Sequence, residues 1–80
     1  MPYVKDYERP DLDKVVAFMK AKKVTPTGRL NYVLYKLAQD MTSYNEYKAF
    51  LGELECVKLE IYRRQLALYE DQKIEENGDV

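Results

Sequence analysis

Apolar residues recur along this chain at intervals of three and four, in three successive stretches, and each stretch predicts a helix. Leu12, Val15, Val16 and Met19 mark the first, over residues 10–23. Pro10 suits its first turn, Asp11 and Asp13 lie where the helix dipole favours negative charge, and Lys20, Lys22 and Lys23 close it. The segment VTPTG interrupts the pattern. Thr25 or Thr27 can cap a second helix, whose stripe of Leu30, Val33, Leu34, Leu37, Ala38 and Met41 reaches about Thr42. Ser43-Tyr44-Asn45-Glu46 then fits a capping box and opens a third helix, with no proline to stop it before Gly78. That helix is about 50 Å long at 1.5 Å per residue, and the first two are about 20–25 Å each. No stretch alternates as a strand does. The expected fold is all-α: two short helices and a long C-terminal one in a single helical domain over residues 1–80. An irregular arm (1–9) precedes them and a tail (77–80) follows.

Steps of 100° give the third helix three faces. Tyr47, Phe50, Leu51, Leu54, Val57, Ile61 and Leu68 form the main apolar face, expected to pack on the first two helices. Ala49, Gly52, Cys56, Leu59, Leu66 and Ala67 form a second apolar strip on the opposite side. A chain of 80 residues is too short to cover both, so the strip is expected to meet other copies in a homo-oligomer. Lys58, Tyr62, Gln65 and Tyr69 edge the main face, with Arg63 and Arg64 nearby. Two readings suit them. The long side chains can snorkel to water, with Glu60 and Arg64 paired at i,i+4. Alternatively, cations and rings gather where subunits meet and hold a phosphate-bearing ligand.

Charge sharpens the picture. Residues 1–37 carry eight Lys/Arg against four Asp/Glu, and residues 38–80 carry five against ten. Such polarity suits basic helices packed on acidic ones, within a chain or between chains. The net charge of −1 argues against a dedicated nucleic-acid binder. No run is long and apolar enough for a membrane span, and MPYVKDYERP lacks the apolar core of a signal peptide, so a cytoplasmic protein is expected. The lone Cys56 forms no internal disulfide and, with no histidine to act as base, reads as a packing residue. Glu46, Glu53 and Glu60 recur every seven residues, too far apart to converge on two metal ions, and suit a salt-bridging flank instead. No metal site and no cofactor are expected.

LECVKLEIYRR followed by YEDQKIEENGDV resembles a family of small uncharacterised proteins from bacteriophages and bacterial genomes. TPTGRLNYVLYKL resembles that family's T-P-G-E-L-N-Y segment, and the opening MPY matches too, so the likeness covers most of the chain and is loosest over residues 4–24. The matching residues include Asn31, Tyr32, Lys58, Tyr62, Arg63, Arg64, Tyr69, Glu70 and Asp71. Thr27 is inserted relative to the family pattern, and Arg29 replaces its usual glutamate, which weakens a capping box. Leu68 stands where family members have proline before the YED tyrosine, which implies an unbroken third helix here. The resemblance implies a phage or prophage origin and carries over no catalytic activity.

The function expected is that of a small homo-oligomeric binding protein. It would sequester an anionic, nucleotide-like signal of bacterial immunity in sponge fashion, as an anti-defence protein in the host cytoplasm. Lys58, Arg63 and Arg64 would supply charge, Tyr32, Tyr62 and Tyr69 stacking, and Asn31 a hydrogen bond. Two alternatives differ in class. One is a protein–protein or inhibitor module whose acidic tail, Glu70–Asp79, docks a host protein. The other is a magnesium-dependent all-α nucleotide pyrophosphatase using Glu53 and Glu60.

Overall fold

The computed structural model describes residues 3–80, all in helices, turns and connecting segments. Met1 and Pro2, where the expected arm and the MPY likeness begin, lie outside the described residues. The chain divides into two units, Met1–Asp40 and Met41–Val80.

In the first unit a 3₁₀ turn, Asp6–Glu8, leads into α1, Arg9–Ala21. Part of the stretch expected to be irregular is therefore helical, for local reasons. The Glu8 carboxylate accepts the Lys5 amide at 3.0 Å, Arg9 pairs with Asp6 at 2.9 Å, and Arg9 Nε donates to the Val4 carbonyl at 3.1 Å. Pro10 sits in the first turn of α1, where its missing N–H costs nothing.

α1 ends two residues earlier than the periodicity predicts, in a Schellman motif. The Val24 amide donates to Met19 and the Lys23 amide to Lys20, with Lys23 in the left-handed region at φ 58°. Val24 and Met19, both half-buried, make the apolar pair that accompanies such a cap. A non-glycine residue there is strained by about 1–2 kcal/mol. Two bonds from Arg29 help hold the corner, with Nε donating to the Lys23 carbonyl at 2.9 Å and Nη2 to that of Lys22.

Of the two threonines, Thr27 caps α2, Gly28–Ala38, its hydroxyl accepting the Arg29 amide at 3.2 Å. α2 ends short of Thr42, because Asp40 opposes the dipole at a C-terminus and Ser43 must be extended (φ −115°, ψ 154°) to cap the next helix.

The second unit is one helical run from Tyr44 to Asn77, in three segments: α3, Tyr44–Ile61; a π-helical turn, Tyr62–Leu66; and α4, Ala67–Asn77. Ser43 Oγ accepts the Glu46 amide at 3.1 Å at its start. The Tyr47 hydroxyl donates to the Met41 carbonyl and fixes the entry. At its end Gly78 has φ 82°, a conformation that favours glycine, and its amide donates to Ile74 at 2.8 Å. A third helix, long and begun at Ser43, thus stands as the spacing predicts.

No described residue in either unit is buried. The main face of α3 carries half-buried Phe50 and Leu54 between exposed Tyr47, Leu51, Val57 and Ile61. Within its own unit no other helix covers that face.

Candidate functional site

The π turn changes which residues share a face. The Ala67 amide donates to the Tyr62 carbonyl, an i→i+5 bond, so one extra residue is wound into the helix and everything after it turns back by about 100°. The hydrogen bond from the Tyr62 hydroxyl to Glu70 Oε2, at 3.3 Å, reports this directly. Residues eight apart stand about 80° apart on an unbroken α-helix, and the extra residue brings them nearly into line.

Three consequences follow for the residues picked out by spacing. Leu66 leaves the small-residue strip and joins the main face, which now runs Tyr47, Phe50, Leu54, Val57, Ile61, Leu66 and Tyr69. Leu68 turns the other way, onto the strip with Ala49, Gly52, Cys56 and Leu59, while Ala67, half-buried, lies at the strip's edge. The line Lys58–Tyr62–Gln65–Tyr69 is broken. Lys58 and Tyr62 keep one flank, and Gln65 and Tyr69 move about a quarter turn away.

The cations of this region are engaged by their own helix. Arg63 Nη2 and Arg64 Nη1 lie 3.0 and 3.2 Å from the same oxygen of Glu60, and Lys58 Nζ lies 3.3 Å from Glu55. The Arg63 hydrogen bond holds the Glu60 carboxyl below its usual range. Partial burial opposes that shift, and the charges of Arg63 and Arg64 and the Arg64 hydrogen bond add to it. Tyr69 is exposed, with the Lys73 ammonium 5.6 Å from its ring centre. Such pairs contribute little on an open surface, and water or a phosphate can replace the carboxylate. Cys56 is a free, exposed thiol. Among the described residues no three Cys, Asp or Glu side chains gather closely enough to hold a metal ion, so Glu46, Glu53 and Glu60 do not converge. No helix among those residues is long and apolar enough to cross a membrane.

Asn31 and Tyr32 lie on α2, in the other unit. There Tyr32 borders a groove of about 380 Å³ lined also by Val24, Gly28, Arg29 and Val33. The Lys36 ammonium lies 5.7 Å from the Tyr32 ring centre. The family likeness pointed to Tyr32 but not to the groove, which lies where the Schellman corner folds Val24 back beside the start of α2. A signal for it was present: residues 14–39 hold six Lys/Arg and no Asp or Glu.

Comparison with curated proteins and with solved structures returns no match. A family model does match, over residues 1–80: the chain belongs to the family described as a domain of unknown function, DUF6899.

Proposed function

We propose that this chain is a small homo-oligomeric binding protein, joined to other copies of itself through the long helix of its second unit. The observation that carries the reading is apolar surface on both sides of one helix, with no described residue buried. Leu51, Leu59, Ile61, Leu66 and Leu68 all lie open, between 44 and 63% exposed. Each apolar side chain taken from water contributes on the order of 1.5–3 kcal/mol, so covering these few repeats the scale of a small domain's net stability. Gly52 carries no side chain and has open space around it, which leaves room for another backbone to approach closely. Analytical ultracentrifugation at micromolar concentration should show a mass that is a small multiple of 9.5 kDa. A species of 9.5 kDa alone would overturn the reading.

The finer form of the proposal concerns the cargo. The protein holds an anionic, nucleotide-like ligand without converting it, and as a phage-encoded sponge it would withdraw a signal of host immunity. The position of the π turn supports this form. It spans Tyr62, Arg63, Arg64, Gln65 and Leu66, of which Tyr62, Arg63 and Arg64 are candidate ligand residues, and π turns inside α-helices occur frequently at functional sites. Titration calorimetry with a panel of nucleotides tests it, with heat of binding and no turnover as the expected result.

A further inference from the structure

We propose that the groove at the corner between α1 and α2 is a binding site for a small aromatic anion with the chemistry of a mononucleotide. The inference rests on the reading of the chain as a binder of nucleotide-like ligands. It places a recognition site in the first unit, separate from the residues of the π turn.

Charge is the first argument. Between Lys14 and Gln39 there are six cations and no carboxylate, so no acid within the stretch neutralises them. Lys14 reaches outside it to Asp11, at 4.0 Å. Lys20, Lys22, Lys23 and Lys36 form no ion pair among the described residues, whereas Arg63 and Arg64 share Glu60. An anion approaching the first unit meets uncompensated positive charge.

Shape is the second. At about 380 Å³ the groove lies near the lower end of the range that small ligands occupy, with room for one base and its phosphate. Val24 and Val33 give apolar walls, and Tyr32 a ring on which a base can stack. Arg29 is already positioned, because Nε and Nη2 are spent on the carbonyls of Lys23 and Lys22. Its Nη1 makes no hydrogen bond among the described residues and is left for an oxyanion. A guanidinium held in place loses little freedom when a ligand arrives. Lys36, over the Tyr32 ring, adds a second cation beside the stacking surface.

Gly28 is the third. It lines the groove on a helical backbone, and a Cβ built there meets nothing within 4 Å, so a larger side chain fits at this position without straining the chain.

The test is an NMR titration of the full chain with adenosine 5′-monophosphate, adenosine and inorganic phosphate, read at the backbone amides. The nucleotide should shift amides over residues 22–36 saturably, with adenosine and phosphate each binding about ten-fold more weakly or worse, as expected when one charge-assisted or stacking contact is lost. Gly28→Leu and Tyr32→Leu should each weaken the nucleotide about ten-fold with helix content unchanged, and Lys48→Ala, which removes a cation on α3 outside the groove and the π turn, should leave it nearly unaltered. Shifts confined to residues 62–66, with affinity lost in an Arg63→Ala/Arg64→Ala variant and kept in Tyr32→Leu, would overturn this site and leave the ligand reading standing. Equal affinity in Gly28→Leu, or binding of a single-stranded oligonucleotide in place of the nucleotide, would also overturn it. No shift anywhere with the oligomer intact would end both proposals.

Discussion

The two units solve the problem of a short chain in different ways. In the first, elements brace one another across a turn: Arg29 reaches back six and seven residues to the end of α1, Val24 folds onto Met19, and Met19, Val24, Leu30, Val33, Leu34 and Ala38 are half-buried. In the second, every ion pair joins residues three or four apart along one helix: Lys58–Glu55, Arg63–Glu60, Arg64–Glu60 and Lys73–Glu76. Contacts of that kind support helicity by a few tenths of a kcal/mol each but bury nothing. The lesson is that good local chemistry makes a helix without making a core: the second unit leaves its apolar faces open, and the first half-buries a few side chains at its corner.

The sharpest way to break that contrast is to charge the main face of the long helix. Leu54→Asp should abolish assembly at micromolar concentration, since an unpaired carboxylate in an apolar contact costs several kcal/mol. Ultracentrifugation should then report 9.5 kDa, while amide shifts of residues 5–38 stay in place.

In the first unit, Arg29→Ala removes both bonds that hold the corner. A loss of about 1–2 kcal/mol is expected from exposed charge-assisted bonds, read by urea unfolding, with the second unit's helicity unaffected. Lys23→Gly should act oppositely and more weakly, stabilising the same corner by about 1 kcal/mol as the left-handed strain is relieved.

The smallest effect belongs to Glu60. Its carboxyl is held below the usual range when folded, so its contribution is present above the ordinary carboxylate pKa and fades as pH falls through the lowered value. Circular dichroism should show a slight loss of helix on acidification below pH 4 or so, and Glu60→Gln should remove that step.

Much of the secondary structure was legible because helix ends are written in local chemistry. Pro10, Thr27, Ser43 and Gly78 each act on backbone groups within a turn, so a short window of sequence holds the whole cause. The early stop of α2 was less visible, since Met41 keeps the apolar stripe going after the backbone has turned. The π turn was missed for a clearer reason. An unbroken α-helix and one with an extra residue each bring a leucine to the main face, Leu68 in the first and Leu66 in the second. A clue lay in the polar residues: the unbroken register also places Gln65 and Gln72 there, whereas the shifted one brings Leu66 and Tyr69. The candidate ligand residues were chosen on the unbroken register, and so their line came apart. Arg29 drew notice only as a departure from a capping motif, because its work is done on carbonyls rather than on a charge the sequence could show.

The five-residue step from Ile61 to Leu66 also limits how copies of the long helix can meet. Regular helices with a seven-residue repeat can slide past one another by one repeat and find nearly the same fit. A helix carrying a single phase slip has no such freedom, because any displacement sets the loosely wound turn of one copy against a different winding in the other. In the proposed assembly, alignment between neighbours would thereby be keyed to one place, the way a notch keys a shaft.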